Sequence, residues 1–306
     1  MRFITTLLIL LFVSISSFGQ SNGKNDWQKR NLNGKVKTIV EVLNDSKKDY
    51  QLDSFDTEGY LIKSICVNEP IYVNDPNDDT PSTITTSDSA YISKYTTIFY
   101  YDKEHHLLKQ TSANTLEDYV ETILYKYNDK GQQIETLIDN TVVKFITQFE
   151  YDKEGKVVIE KINEFGKLDS SISRQQKITF KYNNKSQLAE INTSHGTKDA
   201  TESANVFYKM YEYFGMGMEG YFAGKAIIKY DAAGRIIEQD IFDYKGKPDG
   251  KITCKYDECG NINYMKQYIF GKPSVSLITY KYDIHNNWVT KAYSKDLVYA
   301  RTITYY

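Results

Sequence analysis

The residues of this chain that could do chemistry are four histidines, three cysteines and a scatter of acidic pairs, and spacing decides what they can do. His105 and His106 are adjacent, His195 and His285 stand alone, and no His-x-His or His-Glu-x-x-His arrangement converges ligands on a metal. They read as turn residues in water. Cys66, Cys254 and Cys259 are odd in number and lack zinc-ribbon spacing. Cys254 reads as a buried thiol, while Cys259 in a turn is placed to pair with another thiol in an oxidising compartment. Carboxylates such as Asp152 and Glu154 are spaced for turns; two of them could flank a glycosidic bond, but nothing selects a pair. The cluster Asn74-Asp75-Pro76-Asn77-Asp78-Asp79 offers oxygen ligands of the kind Ca²⁺ takes, without the spaced pattern of a calcium loop, and reads as an exposed polar turn. A phosphate loop and a Gly-x-Ser-x-Gly elbow are both missing. The expectation is a chain with no catalytic residue, no cofactor and no metal, hence not an enzyme.

What must position these residues is a repeat. Copies such as Ile252-Thr-Cys-Lys-Tyr-Asp-Glu-Cys-Gly-Asn-Ile262 and Phe149-Glu-Tyr-Asp-Lys-Glu-Gly-Lys-Val157 recur about every 25 residues. The aromatic anchors are Phe55, Tyr101, Tyr127, Tyr151, Tyr182, Tyr230, Tyr256 and Tyr282. Before each anchor the pattern alternates with period two, as in Ile178-x-Phe180-x-Tyr182, which places these residues on one strand face and Thr, Lys and Glu on a wet opposite face. After it come Asp or Asn, two polar residues and often Gly, the chemistry of a tight hairpin turn with a bulge. An apolar residue starts the return strand six positions on, at Leu61, Leu107, Val157, Leu188, Ile236, Ile262 and Trp288; after Tyr127 it is Ile134, one position late. Looser turns are expected at mid-repeat, at Phe165-Gly166-Lys167-Leu168, Tyr244 to Pro248 and Phe270 to Pro273. The fold class is therefore all-β: an antiparallel β-hairpin repeat array, one continuous twisted or spiralling sheet, in a single domain spanning residues 20–306.

The Tyr-Asp-x-x-Gly-(Arg/Lys)-(Ile/Val) signature resembles the YD repeat of bacterial Rhs proteins, as found in small secreted relatives, from Phe55 to Tyr282, with Arg301-Thr302-Ile303-Thr304-Tyr305 resembling half of one more unit. The interleaved aromatic-Gly-Lys turns resemble MORN-like repeats of short antitoxin-type proteins. The resemblance implies stacked hairpins and a binding role, with carbohydrate as the ligand suggested for YD repeats. The toxin-enclosing shell of the larger relatives is not implied, because the chain has far fewer units and no self-cleaving core segment.

One segment breaks the repeat. Asp199-Ala200-Thr201-Glu202 forms a capping box ahead of Val206, Phe207, Met210, Tyr211 and Phe214, with Gly215 as a C-cap, so the spacing predicts one short helical insertion within about 199–223. Met216-Gly217-Met218-Glu219-Gly220-Tyr221-Phe222 follows as an apolar, glycine-broken loop. It covers a sheet edge or grips a partner; on the second reading Tyr211, Phe214, Met216, Met218, Tyr221 and Phe222 are the partner- or ligand-binding residues.

Residues 1–19 carry one cation, Arg2, an apolar run from Phe3 to Val13 and small residues at Ser16-Ser17-Phe18-Gly19, the layout of a secretory signal peptide. The protein is thus expected outside the cytoplasm: periplasmic, outer-surface or secreted, with no membrane insertion once the signal is removed. A formal net charge of −2 gives no footprint for nucleic acid. Together these readings make the chain an exported non-catalytic binding or scaffold protein for a carbohydrate or a protein at the cell envelope. The alternative is an immunity or envelope-stress factor binding a protein partner, and the third is a glycoside-active enzyme.

Overall fold

A computed structural model describes residues 24–44, 49–68, 93–115, 120–139, 143–166, 172–195, 224–243, 245–269 and 272–306. Among them a four-residue helix, α1 (Asp26–Lys29), precedes nineteen strands: β1 (Val36–Leu43), β2 (Tyr50–Phe55), β3 (Leu61–Asn68), β4 (Ser93–Tyr101), β5 (Leu107–Asn114), β6 (Val120–Tyr127), β7 (Gln133–Asp139), β8 (Val143–Tyr151), β9 (Val157–Gly166), β10 (Ile172–Tyr182), β11 (Leu188–His195), β12 (Gly224–Tyr230), β13 (Ile236–Phe242), β14 (Pro248–Tyr256), β15 (Ile262–Ile269), β16 (Lys272–Leu277), β17 (Thr279–Tyr282), β18 (Trp288–Ser294) and β19 (Leu297–Tyr305). They form one sheet, with antiparallel pairing. No helix of the described residues is long and apolar enough to cross a membrane.

The turns follow from their chemistry. In the turn after Tyr230 the Asp231 N–H donates to the Arg235 carbonyl (2.9 Å) and the Gly234 N–H to the Asp231 carbonyl (3.1 Å), while Asp231 Oδ1 accepts from the Arg235 N–H (2.9 Å). The same bonds recur at Asp102, Asn128, Asp152 and Asp257, where the sequence placed turns. The fourth turn residue adopts positive φ: Gly234 at 83°, but also His105 at 63°, Ser186 at 62° and Asn286 at 62°. A β-bulge then pairs the anchor with the residue six positions on, as Tyr230 with Ile236 and Tyr256 with Ile262. The mid-repeat turn at Asp243 is not looser: Gly246 has φ 78°, and Asp243 Oδ1 takes the same two backbone N–H groups, those of Lys245 and Lys247. After Tyr127 the return strand keeps phase. Gln133 occupies the expected apolar slot and Ile134 points outward, 38% exposed, so the apolar residue one position late marks no slip.

The described chain divides into two compact units, residues 123–279 and residues 24–122 with 280–306. In the first, β7 to β16 pair in chain order, and Phe149, Phe180, Ile191, Ala226, Ile241 and Met265 belong to one continuous apolar core. Its other face is wet, as the alternation predicts. There Glu190 bridges Lys181 and Lys225 (2.6 and 2.7 Å), and Glu238 bridges Lys229 and Lys251 (2.5 and 2.8 Å). In the second unit the order is β5-β4-β3-β2-β1-β19-β18, so the first and last strands are partners.

Most anchor tyrosines are half-buried, with their hydroxyls committed. The Tyr151, Tyr182, Tyr230 and Tyr256 hydroxyls donate to the carbonyls of Gln133, Val157, Leu188 and Ile236, at 2.5 to 2.8 Å, each the first residue of the preceding unit's return strand. Burial pushes all four phenols up to about 12. A raised pKa in an acid that is neutral when protonated means stability held below the unfolded value near 10 and lost as pH rises through the folded value. Spectrophotometric titration is therefore expected to show a late-ionising tyrosine class and unfolding between about pH 10 and 12; ionisation of every tyrosine near 10 with the fold intact would contradict it.

α1 is an addition the sequence reading did not anticipate. Asn25 and Gln28 form a reciprocal capping box, and Trp27 is buried. The Asp26 and Trp27 N–H groups donate to the Gly59 carbonyl, and a Cβ on Gly59 would lie 2.5 Å from the Trp27 ring, so only glycine fits that turn (φ 91°). Residues 1–23, the polar turn expected at 74–79 and the predicted helical insertion lie outside the described residues.

Candidate functional site

The covered face of the second unit differs in chemistry from that of the first. Nine residues past its anchors the first unit carries Thr136, Glu160, Ile191, Gln239 and Met265, all buried; nine past Tyr282 stands Lys291. Six past Tyr282 stands Trp288, and two residues beyond Lys291, on the same strand face, stands Tyr293. The β18–β19 hairpin pairs Lys291 with Tyr299, and the β1–β19 pairing sets Glu41 opposite Arg301. Strands far apart in sequence thus collect three aromatic rings, two cations and a carboxylate.

Lys291 Nζ lies 5.0 Å from the Tyr293 ring centroid and 5.9 Å from those of Trp288 and Tyr299. The Arg301 guanidinium stacks 3.3 Å over Trp288 and donates from Nε to Glu41 Oε2 at 2.7 Å. Tyr293 and Tyr299 meet edge to face at 6.1 Å, and Tyr280 approaches Trp288 in the same manner at 6.3 Å. Burial, then Tyr293 and Glu41, raise the Tyr299 phenol, and burial lowers the Arg301 guanidinium. A second ion pair lies on the same face. Asp53, 4% exposed on β2, accepts from Arg30 Nη1 at 2.7 Å and from Ser64 Oγ at 2.6 Å, and Arg30 also sits 5.5 Å over the Phe55 ring. Burial would lower the Arg30 pKa, but Asp53 outweighs it and the guanidinium ends above its usual value. Both carboxylates of the site are therefore tied to arginines, while the Lys291 ammonium pairs with no carboxylate among the described residues.

His105, His106 and His285 lie in motif turns, as the sequence placed them, and His285 is exposed, while His105 and His106 are partly covered. His105 donates from Nε2 to Glu58 Oε2 (2.7 Å) and stacks on Tyr60 at 4.2 Å, joining the turns after Phe55 and Tyr101. His285 packs against Tyr305 at 4.4 Å, whose hydroxyl bonds Asp283. Asp102, Glu104 and His106 bring an oxygen or nitrogen each within 4.8 Å of one another, the grouping among the described residues that could hold a cation. Asp102 is already engaged: Oδ1 accepts two backbone N–H groups and Oδ2 faces His106 Nδ1 at 2.9 Å. Burial works to raise its carboxyl, but the hydrogen bonds from His106 and Glu104 outweigh burial and hold it below the usual range. Cys254 is buried in the core, as expected, and burial pushes its thiol up to about 11.

The residues first singled out for binding, Tyr211, Phe214, Met216, Met218, Tyr221 and Phe222, lie outside the described residues. The aromatic and cationic group was not read from the sequence, although a signal was there. Lys291 is the one cation at a position that other copies fill with Ser64, Gln110, Thr136, Glu160, Ile191, Gln239 and Met265, with Trp288, Tyr293 and Tyr299 close by in sequence.

No protein-family model and no curated protein matches this chain. The YD-repeat resemblance therefore rests on the residues and on the turn geometry they adopt. Among solved structures, the chain is similar to TcdB2-TccC3-TEV at 12% identity over 79% of this chain and 12% of that one, with a TM-score of 0.29, so it spans about an eighth of that structure's length. It is also similar to porin-like proteins from Bacteroides uniformis ATCC 8492 (16% identity, 89% of this chain and 98% of that one, TM-score 0.38) and Bacteroides vulgatus ATCC 8482 (12%, 89% and 98%, 0.27). Likenesses at this level assign neither a family nor a ligand.

Proposed function

We propose that this chain is an exported, non-catalytic binding protein that takes a carbohydrate on the covered face of its second unit. The observation that carries the reading is the grouping of Trp288, Tyr293 and Tyr299 with Lys291, Arg301 and Glu41 on one face of the last strands. Aromatic rings offer apolar faces to the C–H surface of a sugar, and the fixed charges beside them hydrogen-bond its hydroxyls. Hydrolysis is not supported, because Glu41 and Asp53 are each held by a guanidinium, and a general acid for glycoside cleavage needs a carboxyl kept protonated. Export is supported by the signal-like residues 1–19.

A second reading, a protein partner, is favoured by one other surface. On the outward face of β15 and β16, Tyr264 pairs with Leu277 and Lys266 with Val275, and Leu277 is 64% exposed. A glycan array and a pull-down with the same preparation separate the two. Array binding is expected, weakened about tenfold or more in Tyr299→Ala. Silence across the array, with one protein captured and released by Leu277→Asp, would replace the carbohydrate reading with the second.

A further inference from the structure

Resting on the carbohydrate reading, we infer that the sugar is acidic, a uronate-type saccharide whose carboxylate is taken by Lys291. Three rings surround the Lys291 ammonium at 5.0 to 5.9 Å, and their quadrupoles hold it without neutralising it. Among the described residues no carboxylate pairs with it, whereas Arg30 and Arg301 each have one of their own. Four lysines of the wet face, Lys181, Lys225, Lys229 and Lys251, are matched to glutamates. A half-buried ammonium without a counter-charge costs free energy that the uncharged residues at this position in other copies avoid, among them Gln110, Ile191, Gln239 and Met265.

The charge count selects the ligand. Three cations, Arg30, Lys291 and Arg301, face two carboxylates, Glu41 and Asp53, which leaves one positive charge to be met. A monoanion satisfies it; a phosphate dianion would bring a second charge up against Glu41. The Tyr293 and Tyr299 rings beside the ammonium favour a pyranose ring over an acidic peptide, since they supply apolar surface next to the point of charge recognition.

The test is calorimetric titration of the full chain at low ionic strength with three probes: oligogalacturonate, the neutral galactose oligomer of equal length, and poly-glutamate. The acidic sugar is expected to bind about tenfold more tightly than the neutral one, the effect of one charge-assisted hydrogen bond. Lys291→Met should bring that ratio to about one and Lys291→Arg should keep it, while Lys153→Met, which removes a cation from an exposed turn, should leave the ratio as it is. Should Lys291→Met fold poorly, the wild-type ratio and its fall with added salt carry the test. Equal binding of both sugars would overturn this inference and leave the carbohydrate reading standing. Binding of poly-glutamate alone, or of none of the three, would overturn both.

Discussion

Replacing Asp53 by alanine is expected to destabilise the protein by about 3–5 kcal/mol, the cost of leaving a buried cation without its partner. Asp53 is almost wholly buried and holds Arg30 at 2.7 Å, Ser64 Oγ at 2.6 Å and the Gln51 amide at 3.1 Å. Its loss strands three donors at once. Arg30 also belongs to the segment that follows α1, so an uncompensated guanidinium would loosen the docking of that helix on the turn at Gly59. Urea denaturation reads the effect. The double variant Arg30→Met with Asp53→Leu should recover much of the loss, because replacing a buried pair by apolar groups of similar volume is far milder than breaking it. A single Asp53→Ala variant within 1 kcal/mol of the parent would show that water reaches this pair freely.

Tyr256→Ala is expected to cost about 2–4 kcal/mol through the lost aromatic volume, and Tyr256→Phe about 1 kcal/mol through the lost hydrogen bond. The ring packs against the core of its unit with the Arg235 guanidinium 4.7 Å above it, and its hydroxyl donates to the Ile236 carbonyl at 2.7 Å. That bond ties one hairpin to the one before it. Neither change should alter ligand binding, since Tyr256 lies in the first unit and the site in the second. A phenylalanine variant as stable as the parent would leave the preference for tyrosine over phenylalanine at the anchors without a cause.

The hairpins were legible because their determinants are local. Asp231 closes its turn with its own carboxylate and the amides four residues around it, and Gly234 supplies the positive φ, all within one short stretch of chain. The same locality explains why His105, Ser186 and Asn286 can stand where glycine was expected, since the side-chain acceptor at the turn's first residue supports the strained position. The role of the tyrosine hydroxyl was not legible, because its partner belongs to the previous unit. The site was still less so: Glu41 and Arg301 meet across 260 residues, and no local pattern records that β1 and β19 are neighbours. α1 fell below notice for a different reason, being too short for any helical periodicity, although Asn25 and Gln28 carry the spacing of its capping box.

The β1–β19 pairing also sets the order of events. Most hairpins close a short loop, whereas joining Glu41 to Arg301 closes one of 260 residues, at an entropic cost about 3 kcal/mol above that of a loop of about ten. Hairpins therefore form first and this pairing last. On the proposed carbohydrate reading, the newly made chain acquires its sheet before it acquires any affinity, and a ligand presented to it early finds Trp288 and Lys291 on one hairpin and Glu41 on another, with nothing yet holding them together. Ligand capture is then a signal that assembly has finished.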